Sequence, residues 1–102
     1  MGELSIIVKT RTLPGKRDEI QSLYMDLMAP RAIENPSQEV VVWCADQHDP
    51  DVFYLFEIYS DAAAMGANAQ AGWFADYMAK AGPLLAGKPE VAMASPVWSK
   101  GV

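Results

Sequence analysis

Two neighbouring segments of the chain are apolar on both of their alternating sets of side chains, and no other feature restricts the possible folds as strongly. The segments are Gln38–Ala45 (QEVVVWCA) and Val52–Tyr59 (VFYLFEIY), with the polar residues DQHDPD between them. Two such runs joined by a short polar connection predict a β-hairpin. Because both sets of side chains are apolar, we expect each strand to be covered on both faces of its sheet.

The N-terminal third of the chain predicts one strand and one helix. The β-branched residues within Leu4–Thr10 favour a strand. An apolar stripe at helical spacing follows, formed by Ile20, Leu23, Tyr24, Leu27 and Met28. We expect this helix to end at Ala29-Pro30, because a residue before proline avoids helical backbone angles. Residues 31–37 are interpreted as a connection.

The segment after the hairpin predicts a second helix and a last strand. Ser60 or Asp61 is expected to cap the helix. Ala71–Gly72 should loosen or kink it, since glycine destabilises a helix by about 1 kcal/mol relative to alanine. Gly82–Pro83 is expected to stop it, and the last strand is expected at Glu90–Trp98.

The predicted order of elements is β-α-β-β-α-β, which is the α+β ferredoxin-like plan, an antiparallel sheet with both helices on one face. A length of 102 residues predicts a single domain over residues 1–102. The helices cover one face only, so Tyr54, Phe56 and Ile58, or the opposite set, would be exposed in a monomer. Monomers rarely expose apolar patches of this size, so we expect two sheets to pack face to face in a homodimer.

Charge and composition exclude several classes of protein. The chain has 13 acidic and 8 basic residues, a formal net charge of −5 and no basic cluster, which argues against a nucleic-acid partner. Cys44 and His48 are each the only residue of their type, which excludes an internal disulfide and a multi-cysteine or multi-histidine metal site. The sequence has no glycine-rich phosphate loop and no leader or membrane-spanning run. We therefore expect a cytoplasmic protein with no cofactor, no metal and no membrane partner.

Four segments, taken together, resemble the antibiotic biosynthesis monooxygenase family. In chain order they are LPGKRDEIQSLYMDLMAPRA, DPDVFYLFEIYSD, WFADYM and KPEVAMASPVW, and the similarity covers nearly the whole chain. The resemblance implies a dimeric α+β barrel, in which two ferredoxin-like sheets close against each other. Members include cofactor-independent oxygenases of anthrones and quinols, heme-degrading proteins and domains of unknown role. The resemblance therefore also implies an aromatic or apolar ligand between sheet and helices.

The resemblance carries over few site residues. Many members have a histidine where this chain has Asn68, and His48, in a turn, does not match the helix histidine that binds iron in the heme-degrading proteins. The quinone-forming oxygenases use an Asn, a Trp and an Arg near the substrate, and Asn68 and Trp73 resemble the first two. The last strand has no Arg, so that role is unfilled or falls to Arg11 or Arg31.

Oxygenation without metal or flavin needs a base, a donor to an oxyanion and an apolar cavity. Glu57 is the candidate base if burial raises its pKa; the alternative is a structural contact that ties strand to helix. Asn68 would hold a carbonyl or an oxyanion, or else be a polar residue on an exposed helix side. Trp73 would donate its indole N–H to a quinol oxygen, or only pack beside Phe74.

The remaining candidates would line a ligand cavity or simply fill the core. They are Tyr77, Trp43, Met65, Tyr54 and Phe74. The leading hypothesis is a cofactor-independent monooxygenase of a small phenolic, anthrone or quinol-like aromatic. The alternatives are a non-catalytic ligand-binding or stress-response protein with the same dimeric barrel, and a lactone isomerase on this fold.

Overall fold

One antiparallel sheet of four strands forms the centre of the protein, as described for residues 2–102 by a computed structural model. The strands are β1 (Leu4–Arg11), β2 (Gln38–Ala45), β3 (Val52–Tyr59) and β4 (Glu90–Ala94). Their order across the sheet is β2-β3-β1-β4. The predicted hairpin is confirmed, because β2 and β3 pair antiparallel along their length.

Helices join the strands on either side of this hairpin. They are α1 (Arg17–Leu27), α2 (Ala29–Glu34), α3 (Ala62–Ala69) and α4 (Gly72–Ala81), followed by a 3₁₀ turn at Gly82–Leu84. The rings of Tyr24 in α1 and Tyr77 in α4 meet edge to face, with 5.9 Å between their centroids. Trp43 and Leu55 of the sheet pack against the same cluster. The chain therefore has the predicted α+β ferredoxin-like fold, with each helical region in two pieces.

The first helical region is longer than predicted. The expectation of an irregular connection over residues 31–37 is wrong, because α2 occupies Ala29–Glu34. Pro30 lies in the first turn of α2. There a missing N–H removes no helical hydrogen bond, and the fixed φ of proline suits the helix. The Ala29-Pro30 pair thus separates two helices instead of ending the helical region.

The second helical region breaks completely where only a kink was predicted. Ala71 has an extended backbone, with φ −67° and ψ 143°, and α4 begins at the next residue. The N-terminus of α3 is capped by Asp61, whose Oδ1 accepts a hydrogen bond of 2.8 Å from the Ala64 N–H. The last strand is shorter than the predicted Glu90–Trp98, because it ends at Ala94. Pro96 has no N–H with which to continue a strand ladder.

The outer face of the sheet, opposite the helices, carries an aligned row of apolar side chains. Val42, Phe56, Ile7 and Ala92 are register partners on adjacent strands, and we call them the outer row. Val42 is 46%, Ile7 45% and Phe56 37% exposed. The prediction of an exposed second face is therefore confirmed for Phe56. It is wrong for Ile58, which is buried on the same face.

Within residues 2–102, no helix has both the length and the apolar character needed to cross a bilayer.

Candidate functional site

A cavity of about 280 Å³ lies between the sheet and the helices. Strands β1, β3 and β4 contribute its floor, and α1, α3 and α4 contribute its roof. Most of the lining is apolar and includes Ile6, Val8, Leu55, Phe74 and Met78. A largely apolar concave site of this kind is typical of small-molecule binding.

Two lining residues mark where the cavity opens. Val91 and Met93 of β4 line the cavity and yet are 60% and 59% exposed. All five residues of β4 are exposed, since this edge strand pairs only with β1. The mouth of the cavity is therefore at the β4 edge of the sheet.

A few polar side chains interrupt the apolar lining. They are Thr10, Tyr24, Glu57, Tyr59, Asn68 and Tyr77. Among the described residues that line the cavity, none is a lysine or an arginine, and Glu57 alone can carry a formal charge. The cavity thus has hydroxyl donors and one carboxyl group, but no side chain that would neutralise an anionic ligand.

Asn68 is the centre of a hydrogen-bonded network at this polar end. It is buried in the last turn of α3. Its Nδ2 donates to Gln38 Oε1 at 3.0 Å and to the Tyr59 hydroxyl at 3.2 Å. Its Oδ1 accepts from Asn35 Nδ2 at 3.1 Å. A primary amide has only two N–H donors, so Asn68 has no free donor with which to hold an oxyanion.

Gln38 extends this network to Glu57. Its Nε2 donates to Glu57 Oε1 at 3.0 Å. Strict alternation from Val41, which packs toward the helices, would place Glu39 on the cavity side and Gln38 outside. A register shift lies between Gln38 and Val40, so the strand has one extra residue there, as in a β-bulge. The bulge brings the Gln38 amide to the same side as Glu57 and leaves Glu39 exposed.

Burial shifts the pKa of the Glu57 carboxyl group. Glu57 lies under the helices, and this burial raises the pKa of Glu57 above its ordinary value. Hydrogen bonding from Gln38, followed by the Tyr59 hydroxyl, offsets part of this rise. A carboxylate with a raised pKa is a stronger base than a solvated one, so Glu57 suits the proton-accepting role that the sequence predicts.

The cavity tyrosines remain protonated over a wide range of pH. Burial, followed by the charge of Glu57, raises the pKa of Tyr59 to about 12. Burial alone raises the pKa of Tyr77 to about 12. Burial, again with the Glu57 charge second, raises the pKa of Tyr24 further still. All three side chains are therefore neutral hydroxyls at physiological pH.

Five of the eight candidate site residues meet at this cavity. Glu57, Asn68, Met65, Phe74 and Tyr77 all line it. Asn68 is buried, so the alternative reading of an exposed polar residue on a helix surface is wrong. Glu57 lies at the cavity, as the base role requires. Its hydrogen bond is to Gln38 of the neighbouring strand, and the predicted tie to a helix exists only indirectly, from Gln38 to Asn68 of α3.

Three candidates lie elsewhere. Tyr54 is on the outer side of β3, and its hydroxyl donates to Asp46 Oδ2 at 2.7 Å. Trp43 stacks on Phe53 with 4.5 Å between ring centroids, and Trp73 borders a shallow surface depression on the helix side. Of the side chains described for the cavity lining, neither tryptophan is one. The structure thus does not bring these three residues to the described lining of the cavity.

The arginine sought from the resemblance is not at the cavity either. Arg11 forms an ion pair of 2.9 Å with Asp49, and Arg31 borders the same shallow depression as Trp73. Two residues that the sequence reasoning did not select, Tyr24 and Tyr59, do line the cavity. The Tyr59 position was available from alternation with Glu57, whereas no sequence signal separates Tyr24 from the rest of its apolar stripe.

The described part of the chain contains no cluster of metal-ligand side chains. No group of three or more His, Cys, Asp or Glu side chains in residues 2–102 is arranged to hold a metal ion.

Solved structures share this fold. A Caulobacter crescentus protein, provisionally named an antibiotic biosynthesis monooxygenase, is 22% identical with a TM-score of 0.87, and the match covers 95% of this chain and 92% of that one. A Chloroflexus aurantiacus protein with the same provisional name is 24% identical, with a TM-score of 0.84 and 98% of both chains covered. A third protein, named an antibiotic biosynthesis monooxygenase, is 21% identical with a TM-score of 0.83, over 92% of this chain and 98% of that one.

These matches confirm the predicted resemblance at the level of the fold. The chain has the fold of the antibiotic biosynthesis monooxygenases, and at identities of 21–24% the likeness shows the fold alone. No family model matches the sequence, and a search of curated proteins finds no match.

Proposed function

We propose that this protein, with the fold of the antibiotic biosynthesis monooxygenases, is a cofactor-independent monooxygenase of a small phenolic or quinol-like aromatic. The observation that carries the proposal is Glu57, a half-buried carboxyl group with a raised pKa at the polar end of an apolar cavity. The cavity can bind the aromatic rings, and Glu57 can accept the phenolic proton. The reaction needs only dissolved O₂ besides the substrate, and we place it in the cytoplasm, as the sequence predicts.

The size of the cavity favours a particular class of substrate. An apolar cavity of about 150 Å³ in another protein holds one benzene molecule. A cavity of about 280 Å³ therefore has room for about two fused rings. We accordingly propose a bicyclic phenol or hydroquinone, and 1-naphthol is a suitable probe.

The proposed reaction can be written for 1-naphthol with balanced atoms. Glu57 takes the O–H proton, and the naphtholate gives one electron to O₂. The resulting radical and superoxide combine to form a C–O bond at the ring carbon opposite the first oxygen. Glu57 returns its proton to the peroxide. The ring hydrogen at the same carbon then leaves as a proton while the O–O bond breaks and releases hydroxide, and the proton and the hydroxide form water. The products are the naphthoquinone and one water, with no other oxidant or reductant involved.

Oxygen uptake with a matched pair of variants tests this proposal. With 1-naphthol, wild type should consume O₂ and transfer one ¹⁸O atom from ¹⁸O₂ to the quinone, detected by mass spectrometry. Glu57→Gln should lower kcat by about 100-fold or more, since general bases contribute about 10²–10⁴-fold. The control is Glu19→Gln on α1. The Glu19 carboxylate is exposed and lies 3.9 Å from the Lys16 ammonium group, so this variant should keep the wild-type rate. Equal rates for wild type and Glu57→Gln would remove Glu57 as the base.

A non-catalytic binding protein is the alternative, and a specific observation favours it. Asn68 has both N–H groups engaged within the network, and no arginine is among the described lining residues. The resemblance implies an asparagine and an arginine near the substrate, and the described cavity lining offers neither as a free donor to an oxyanion. Tight binding of 1-naphthol without O₂ uptake would support this alternative.

A homodimer belongs to the same proposal. The outer row is exposed and apolar on strands that are already paired. Face-to-face packing of two such sheets would cover it on both copies. Sedimentation equilibrium at micromolar concentration should give twice the chain mass, and a single monomeric species would refute this assembly.

A further inference from the structure

Tyr24 carries a buried hydroxyl on the wall of the cavity. The residue is 3% exposed and lines the cavity from α1. Its hydroxyl oxygen has no hydrogen-bond partner among residues 2–102. A buried donor left without an acceptor destabilises the fold, because it loses its hydrogen bonds to water and gains none in return.

The two amide side chains at the polar end of the cavity are already engaged. Both N–H groups of Asn68 bind Gln38 and Tyr59. Gln38 in turn occupies Glu57 Oε1. Glu57 lies near enough for its charge to act on Tyr24, although burial is the larger influence on the pKa of Tyr24. Glu57 and Tyr24 both line the cavity, so one bound ligand can contact the carboxyl group and the Tyr24 hydroxyl.

Trp43 provides a useful contrast. Its indole Nε1 is also buried and without a partner among the described residues. Trp43 does not line the cavity as the structure describes it, and its ring is stacked on Phe53. Tyr24 combines an unsatisfied donor with a position on the cavity wall, and Trp43 has only the first of these.

We infer that the Tyr24 hydroxyl donates a hydrogen bond to an oxygen of the ligand, and that the ligand enters the cavity neutral, with a phenol or carbonyl oxygen at this end. This inference rests on the proposed function, in which the cavity holds an aromatic molecule. In that reaction Tyr24 takes the part of the oxyanion donor, for which Asn68 has no free N–H. Carboxylate ligands are rejected, because Glu57 lines the cavity and no described lining residue is a lysine or an arginine.

Two neutral probes of the same shape separate the hydrogen bond from the apolar contact. 1-Tetralone has one carbonyl acceptor and no donor, and tetralin is the corresponding hydrocarbon. Dissociation constants for both are measured by ligand-observed NMR titration with wild type, Tyr24→Phe and Tyr54→Phe. Tyr54→Phe is the matched control. It makes the same chemical change on the opposite face of the sheet, where the Tyr54 hydroxyl donates to Asp46.

The Kd ratio of the two probes is the expected readout. Relative to wild type, Tyr24→Phe should shift this ratio about five- to tenfold toward tetralin. The Kd for tetralin itself should change little. Tyr54→Phe should keep the wild-type ratio. 1-Naphthoate should bind wild type at least about tenfold more weakly than 1-tetralone, because its charge meets Glu57 without a compensating cation.

The outcomes distinguish this inference from the proposed function. If both probes bind and Tyr24→Phe leaves their ratio unchanged, Tyr24 is not the donor, while the proposed function stands. If 1-naphthoate binds as well as 1-tetralone, the inferred selection for neutral ligands is wrong. If neither neutral probe binds wild type, the aromatic cavity is refuted, and the role of Tyr24 with it.

Discussion

The two faces of strand β3 show how one segment can serve two purposes. Toward the helices, Glu57 and Tyr59 are held among apolar side chains and joined to a hydrogen-bonded network. Toward the outside, Phe56 is exposed within the outer row. The inner face thus buries polar groups and the outer face exposes apolar ones, the reverse of what a simple monomeric sheet would favour. The proposed function accounts for each reversal by a binding event, a ligand on one face and a second copy of the chain on the other.

The largest expected effect comes from a substitution in the outer row of the sheet. Phe56→Asp would place an unpaired carboxylate in the proposed interface and should raise the dissociation constant of the dimer at least about a hundredfold. Sedimentation velocity over a concentration series measures this constant. The control is Ile33→Asp, an equally drastic change at a residue of α2 that is 86% exposed. Dimers that survive Phe56→Asp unchanged would show that the outer row is not the interface.

A smaller effect is expected when the inner face loses its network. Asn68→Ala leaves Gln38, Tyr59 and Asn35 without their shared partner. The free energy of unfolding should fall by about 2–3 kcal/mol, because buried polar groups lose hydrogen bonds that water cannot replace. Urea denaturation measures the change, and Gln21→Ala, at an exposed site of α1, is the control and should be nearly neutral. A loss below about 0.5 kcal/mol for Asn68→Ala would mean that the network adds little to stability.

A third change should stabilise the protein. Tyr24→Phe removes a buried hydroxyl without a partner in the described chain, so the free energy of unfolding without ligand should rise by about 1 kcal/mol. Tyr54→Phe makes the same chemical change but removes a hydrogen bond to Asp46, so it should destabilise. Urea denaturation of the two variants therefore gives opposite signs. A destabilised Tyr24→Phe would indicate that the hydroxyl already has a partner in solution.

The smallest effect concerns pH. Burial raises the pKa of Glu57 in the folded protein, so the folded state keeps this proton to a higher pH than the unfolded chain does. The stability from this group is fully present below the unfolded pKa and is lost as the pH rises through the raised folded pKa. The advantage of Glu57→Gln over wild type in the free energy of unfolding should therefore grow from acidic to neutral pH. A flat profile for Glu57→Gln would mean that burial does not shift the titration of this carboxyl group.

Periodicity was sufficient for much of the fold. The bounds of β2 and β3 follow from two runs of apolar side chains separated by a polar turn, and the pairing of Glu57 with Tyr59 on one face follows from alternation. The sequence pattern does not predict α2, because Pro30 after Ala29 favours a helix end, although a proline in a first turn is compatible with helix.

Sequence patterns could not assign the candidate site in full. Tyr54 is a predicted site residue together with Glu57, yet alternation places the two on opposite faces of β3. Trp73 follows the break at Ala71, so its orientation could not be extrapolated from the helical phase of α3. The unsatisfied state of the Tyr24 hydroxyl depends on what surrounds it in three dimensions, and no spacing along the chain encodes that.

The extra residue in β2 also affects the charge beside the cavity. Without the bulge, strict pleating would turn Gln38 toward solvent and bring the Glu39 carboxylate to the side of Glu57. Two carboxylates in one partly buried site repel each other, so one of them would hold a proton there. With the bulge, Glu39 stays exposed and the neutral amide of Gln38 takes that place, so the edge strand carries an acidic residue without adding a second negative charge to the cavity.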